Sequence, residues 1–245
     1  MQRQQQAIEW LKTQFPNDTF TLAPASADAS FRRYFRATFT NGSTKIIMDA
    51  PPQHEDCKPF LQVAKLFADA GTHTPHVYAQ DLELGFLLLS DLGNTTYLQA
   101  LTADNAPQLY SAATDALIKI QLASRENELP PYDEALLRRE LNLFPDWYIA
   151  KHLGVTLTEK QQSKLAEVFT RIVANNLAQP KVYVHRDYHS RNLMVAEPNP
   201  GIIDFQDAVY GPITYDLASL FKDAYIKWEE AEIMDWLIRY WEKAR

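Results

Sequence analysis

Residues 182–216 read VYVHRDYHSRNLMVAEPNPGIIDFQDAVYGPITYD, and the fold follows from how polar residues interrupt this run. The apolar segment 182–184 predicts a short buried strand that delivers His185, Arg186 and Asp187 at its end. Asn192 lies five residues past Asp187, and a second strand, 193–195, begins at once. Asp204 follows twelve residues after Asn192, at the end of the Gly201-Ile202-Ile203 strand. Polar residues at the ends of neighbouring short strands place Asp187, Asn192 and Asp204 on one rim. Such a trio suits phosphoryl transfer, in which the protein mainly positions reactants and neutralises charge. Asp187 is a carboxylate able to accept the proton of an attacking hydroxyl. Asp204 and Asn192 offer a carboxylate and an amide oxygen, hard ligands of the kind Mg²⁺ prefers.

Upstream of this run the texture is different. A first helix carries Ile8, Leu11 and Phe15 on one face and ends at Pro16-Asn17-Asp18. Strands follow at 19–22, 31–39 and 45–48, the last two joined at Asn41-Gly42, a hairpin signal because both residues tolerate positive φ. A helix over about 55–70 has Phe60, Ala64, Phe67 and Ala68 as its apolar face and Gly71 as its cap. Two more strands read at 77–81 and 86–90. Helical periodicity dominates from Thr96 to about Asn176, broken by Pro130-Pro131 and Pro145. After residues 182–203, which read as a short strand pair and a third strand, two helices cover 214–226 and 229–245. The expectation is an α+β, bilobal chain: a small, antiparallel, β-rich N-lobe over 1–92 and a mostly helical C-lobe over 93–245.

Composition narrows the class. With 245 residues, 46% hydrophobic and 12% aromatic, the chain can bury a substantial core and is not globally disordered. Its 24 Lys+Arg against 31 Asp+Glu give a net charge of −7, and no basic stripe suggests nucleic acid. No apolar run exceeds four residues, so no membrane span is expected. The N-terminus MQRQQQAIEW lacks a hydrophobic signal core. Cys57, the single cysteine, excludes a disulfide framework. A cytoplasmic setting is the expectation.

The spacing His185-Arg186-Asp187, four residues, then Asn192 is similar to the catalytic loop of protein kinases, with Asp204-Phe205-Gln206 standing where D-F-G would be. His189 completes H-x-D-x-H-x-x-N, which resembles the signature of the aminoglycoside phosphotransferase and choline kinase superfamily. The TYDLASL segment containing Asp216 is also similar to that superfamily's C-terminal pattern. The phrases SFRRYFR, MDAPP, LLLSDLG, LFPDWY, VHRDYHSRNLM and DFQDAVYGPITYDLASLFKDA resemble, in this order, the bacterial anomeric kinases of N-acetylmuramate and N-acetylglucosamine used in cell-wall sugar recycling. The resemblance implies a protein-kinase-like fold, ATP and Mg²⁺ as cofactors, and a small-molecule sugar as substrate. It implies Asp187 as catalytic base, with His189 near the transferred phosphate, and Asn192 and Asp204 as metal ligands. It implies adenine recognition at Ser90-Asp91-Leu92 and a phosphate-covering loop at Ser26, Ala27, Asp28, Ala29 and Ser30.

One position departs from the superfamily. Met48 stands where most members carry a phosphate-binding lysine, and Lys45 points to the other face of its strand. Arg32, Arg33 or Arg36 is left to supply the charge, with Arg33, just after the loop, the choice. Other readings stand beside these. His185 reads as a brace for its loop and Asp216 as an anchor, while Asp207 is either a supporting residue or surface. Trp147 and Tyr148 are packing residues or a wall against a sugar ring, and Asp146 reads as an acid at a helix start. A metal-hydrolase site built on His185, Asp187 and His189 needs further ligands, and a pseudokinase would have no need of the whole trio. The chain stops at Arg245 inside a helical pattern, and the resemblance implies further helices beyond it.

Overall fold

A computed structural model describes residues 2–27 and 31–245. The loop positions Asp28, Ala29 and Ser30 lie outside the described residues, and Ser26 and Ala27 are described by backbone only. In chain order the elements are α1 (Gln2–Gln14), β1 (Phe20–Ala27), β2 (Arg33–Phe39), β3 (Thr44–Asp49), α2 (Lys58–Asp69), β4 (Val77–Asp81), β5 (Phe86–Ser90), α3 (Tyr97–Ala100), α4 (Ala106–Leu122), α5 (Glu134–Leu143), a π-helical segment (Phe144–His152), α6 (Glu159–Leu177), β6 (Lys181–Val184), β7 (Leu193–Met194), β8 (Gly201–Ile202), β9 (Val209–Pro212), α7 (Tyr215–Phe221) and α8 (Glu230–Ala244). The chain forms two compact units, each built from two stretches: Met1–Ala116 with Ser190–Asp207, and Leu117–His189 with Ala208–Arg245. An antiparallel sheet early in the chain and helices later bear out the α+β expectation.

The first unit is organised on a five-stranded antiparallel sheet in the order β1-β2-β3-β5-β4. Strand alternation sends Phe35, Ala37 and Phe39 of β2, Ile47 of β3, and Phe86 and Leu88 of β5 into one core with α1. That helix buries Ala7, Trp10 and Leu11, a stripe rotated from the expected Ile8–Leu11–Phe15 face because the Trp10 indole stacks on Phe86 at 5.6 Å. The β2–β3 hairpin forms at Asn41-Gly42 as expected, but only Gly42 has positive φ, +83°. Phe39 exchanges backbone hydrogen bonds with the loop: its N–H donates to Ser43 O and its carbonyl accepts from Gly42 N–H, both at 2.9 Å. This is a three-residue loop, and it pairs Arg33 with Asp49 and Tyr34 with Met48. Helix α2 starts at Lys58 with Pro59 in its first turn, a position where the missing N–H is not needed. Cys57 lies just before it, buried, and burial together with the neighbouring acidic residues pushes its thiol pKa up.

In the second unit β6 pairs with β9 over Val182↔Gly211 and Val184↔Val209. From the sequence, 182–184 is expected to pair with 193–195; β7 instead pairs with β8 in the first unit. Gly211-Pro212 hid β9, since both residues are unusual inside strands. Tyr132, Leu137, Val173, Val182, Val184 and Val209 form a core around that pair. Helix α6 opens on a capping box between Thr158 and Gln161. Pro145 does not break the chain direction after α5 but falls in the first turn of the π-helical segment. There Trp147 and Tyr148 are exposed rather than packed; Lys151 Nζ lies 3.7 Å from the Trp147 ring centroid, and Tyr148 stacks between Phe144 and His152. Among the described residues no helix is long and apolar enough to cross a membrane.

Candidate active site

The loop leaving β6 is held by the start of α7. His185 is fully buried, and its N–H donates to Asp216 Oδ2 at 2.7 Å while Arg186 N–H donates to Asp216 Oδ1 at 3.0 Å. Burial pushes the Asp216 carboxyl up to about 7 against the effect of those two N–H donors, and the nearby Asp187 charge adds to the rise. Arg186 takes φ +77°, and its carbonyl accepts from Ser219 Oγ at 3.2 Å. Asp187 follows, exposed, with its N–H on His185 Nδ1 at 3.3 Å and its carbonyl accepting from His189 N–H at 2.9 Å. The His185 brace and the Asp216 anchor thus act on the backbone, and Asp187 between them is exposed. His189 meets Tyr225 edge-on at 5.4 Å, and its Nδ1 is buried without a hydrogen-bond partner.

In the first unit the β7–β8 ladder pairs Leu193 with Ile202 and extends one step through Ile203 N–H to Asn192 O at 3.1 Å. That step puts Asn192 beside Asp204, and Asn192 Nδ2 donates to Asp204 Oδ2 at 3.3 Å. Gln206 Nε2 donates to Asp204 Oδ1 at 3.0 Å and to Asp207 Oδ2 at 3.3 Å. Asp204 sits at φ +63°, a left-handed conformation that aspartate adopts more readily than most non-glycine residues. Both carboxylate oxygens are met by neutral amides, and rotating the Asn192 amide presents its oxygen in place of its nitrogen. Gln206 Oε1 is buried without a hydrogen-bond partner, a further oxygen at this point. A carboxylate beside amide oxygens is a donor set that fits a hard divalent cation. Among the described residues no group of three or more His, Cys, Asp or Glu is arranged to hold a metal, which gives the hydrolase reading no ligand cluster at His185, Asp187 and His189. Phe205 packs against Phe60 and Phe67 of α2 at ring-centroid distances of 4.9 and 5.8 Å, fixing the segment from the apolar side.

The Ser90-Asp91-Leu92 segment continues from β5. Ser90 N–H donates to His76 O, and Ser90 Oγ accepts from His76 N–H, both at 2.9 Å. Asp91 is engaged by Arg36 and by Gly93 N–H at 3.0 Å. Two of the three candidate arginines, Arg33 and Arg36, fall on opposite faces of the sheet. Arg33 lies with the α1 core face, donating to Asp49 Oδ2 at 2.7 Å, and Arg3 of α1 joins it on the fully buried Asp49. Met48, 1% exposed, is on the opposite face with Tyr34, and alternation puts Arg36 on that face too. The structure therefore joins Arg33 to Asp49, not to the Met48 side, and joins Arg36 to the candidate adenine segment. Neither ion pair was legible in the sequence: Arg33–Asp49 depends on the register of the β2–β3 hairpin, and Arg36–Asp91 links residues 55 positions apart.

Residues 21–245 match the model of the phosphotransferase enzyme family. The chain is 50% identical, over 99% of its length, to a protein of Pseudomonas putida named N-acetylmuramate/N-acetylglucosamine kinase, and covers 74% of that protein. Proteins of the same name from Pseudomonas aeruginosa and Neisseria meningitidis serogroup B are 55% and 50% identical over 91% and 100% of this chain, which spans 66% and 74% of their lengths. Among solved structures, a choline kinase from Streptococcus pneumoniae aligns with TM-score 0.68 at 14% identity, over 97% of this chain and 80% of that one. An ADP-bound aminoglycoside phosphotransferase aligns with TM-score 0.67 at 15% identity, over 96% and 81%. These likenesses show the shared protein-kinase-like fold, and with the match over nearly the whole length the chain belongs to the phosphotransferase enzyme family.

Proposed function

We propose that this chain transfers the γ-phosphoryl group of ATP to the anomeric hydroxyl of N-acetylmuramate or N-acetylglucosamine. The observation that carries the reading is the Asn192–Asp204 pair at 3.3 Å in a chain half identical to proteins named for that activity. The sugar oxygen attacks phosphorus, the bond from phosphorus to the β,γ-bridging oxygen breaks, ADP leaves, and the hydroxyl proton passes to Asp187. An anomeric hydroxyl is more acidic than an ordinary alcohol, so one carboxylate suffices as base. Asp187 suits the task because its backbone is fixed on both sides while its side chain is exposed. His189 would lie beside the transferred group. Asn192 and Asp204 would hold Mg²⁺, which when bound neutralises charge on the phosphate oxygens. Backbone groups of Ser90 and Leu92 would meet the adenine edge, and residues 26–30 would cover the phosphates. On this reading 1–92 serves the nucleotide and 93–245 the acceptor.

The test is a panel of these two sugars, choline and aminoglycosides with ATP and Mg²⁺, followed by phosphorus NMR. An anomeric phosphate signal is the expected result; phosphorylation elsewhere, or silence with both sugars, overturns the assignment. Asp187→Asn should lose nearly all turnover while still binding ADP.

A further inference from the structure

We propose that Glu140, with Tyr132 and Tyr215, is a positioning device for the catalytic base, acting through Arg186. This rests on the reading of Asp187 as that base. The Arg186 backbone is left-handed at φ +77°, a conformation that glycine adopts without steric cost and a residue with a Cβ does not. The loop nevertheless carries arginine there, and its guanidinium is caught: Arg186 Nη2 donates to Glu140 Oε1 on α5. Glu140 is in turn held. Its Oε2 accepts from Tyr132 Oη and, at 3.2 Å, from Tyr215 Oη. One carboxylate thus gathers three donors from three segments of the second unit: the residue after the Pro130-Pro131 break, the catalytic loop and the start of α7.

Tyr132 is itself fixed. Tyr132 N–H donates to Tyr210 O, and Tyr210 N–H to Pro130 O, both at 2.8 Å. The bare Cα of Gly211 makes room beside it, since a Cβ there would meet Tyr132 Cβ at 2.7 Å. Burial and the facing Glu140 carboxylate raise the Tyr132 phenol pKa and burial pushes that of Tyr215 up to about 12, so both remain donors. Among the described residues, the side chains hydrogen-bonded to Glu140 are these two phenols and Arg186. Arg186 is therefore tied at its amide by Asp216, at its carbonyl by Ser219 and at its side chain by Glu140. Loss of the side-chain tie frees the strained residue next to Asp187 to relax, and the base moves with it.

The experiment compares wild type with Glu140→Gln, which keeps the shape but weakens the hold on arginine, by hydrogen exchange of the 185–189 amides and by steady-state kinetics. Exchange should accelerate in that loop and not across β6–β9. The kcat should fall by roughly 10–100-fold with KM for ATP within about twofold, the scale of a misplaced reacting group. In an Arg186→Gly background, where strain and tether are both absent, Glu140→Gln should change kcat little further. Unchanged exchange overturns the proposal, and so does a full additional loss in the glycine background. A raised KM for sugar with kcat preserved also overturns it, because Glu140 would then touch the acceptor. If Glu140→Gln fails to fold, Tyr132→Phe with Tyr215→Phe is read the same way. If wild type phosphorylates neither sugar, the function reading fails while the exchange result still decides this one.

Discussion

Arg36 closes on Asp91 with two N–H donors, Nε on Oδ2 at 2.5 Å and Nη2 on Oδ1 at 3.0 Å, and the same Nη2 reaches Gly93 O at 3.0 Å. The ion pair braces the turn that follows β5, where adenine recognition is proposed. The Arg36 donors, Gly93 N–H and the Thr44 hydroxyl hold the Asp91 carboxyl below its usual 3.8, although burial works the other way. Arg36→Met leaves Asp91, with 6% of its side chain exposed, without its main partner. We expect a loss of about 2 kcal/mol in urea unfolding at pH 7, scaled down from fully buried pairs because Arg36 is partly exposed. KM for ATP should rise. The sign with pH follows from a lowered acid: the pair stabilises above the unfolded value and is lost as pH falls through the folded one. The gap between wild type and variant should therefore shrink in acid below 3.8, leaving the part due to the lost Gly93 O bond; a gap of unchanged size there removes the ion pair as its main cause.

Met48→Lys asks whether the position can take the lysine usual in the superfamily. Met48 is 1% exposed and sits between Tyr34 and Leu87 in register. An ammonium there loses its hydration, so the variant should lose roughly 3 kcal/mol or more of stability or carry the lysine neutral. Met48→Leu should stay within about 1.5 kcal/mol. A Met48→Lys protein as stable as wild type that binds ADP more tightly would show that the site accepts the charge.

The hairpin explains why part of the site was hidden in the sequence. Asn41-Gly42 marks the turn, but a two-residue loop and a three-residue loop differ by one step of register. One step moves every side chain of a strand to the other face. In the two-residue register Arg33 shares a face with Met48; in the observed one it shares a face with Asp49 and α1. The dipeptide fixes where the chain turns, and only the Gly42 conformation and the Phe39–Ser43 bond settle the count. The Asn192–Asp204 pair was easier to anticipate, because two short strands and a fixed spacing carry it. Strand β9 was not, since Gly211-Pro212 reads locally as a turn and pairs only because β6 lies beside it.

The cation reading has its own measurement. Asp204→Asn removes the charge from the proposed pair, and Asn192→Leu removes its amide oxygen. Mn²⁺, a paramagnetic stand-in for Mg²⁺, can be titrated against the protein–ADP complex by electron paramagnetic resonance. Each variant should weaken Mn²⁺ binding by at least about tenfold, the lower end of what even supporting residues of metal sites cost. Gln206→Ala, which removes a donor to Asp204, should do less. Chelation by EDTA should abolish turnover and excess Mg²⁺ restore it. Unchanged Mn²⁺ affinity in both variants places the cation elsewhere.

Asp216 gives a pH dependence of opposite sign to that of Asp91. Its carboxyl is raised from the usual 3.8 to about 7 by burial, so between those values the folded chain holds a proton that the unfolded chain has released. Stability from this group is then highest in acid, falls as pH rises through that window, and is level above it. Asp216→Asn is neutral throughout and turns an N–H₂ toward one of the two backbone donors from His185 and Arg186, so it is less stable at every pH. The difference between wild type and variant should narrow by at least about 1.4 kcal/mol, the equivalent of one pKa unit, as pH is raised from 4.5 to 7.5. Urea unfolding at several pH values measures it. A difference that widens instead would mean that the two N–H donors outweigh burial and that the loop is anchored by an ionised carboxylate.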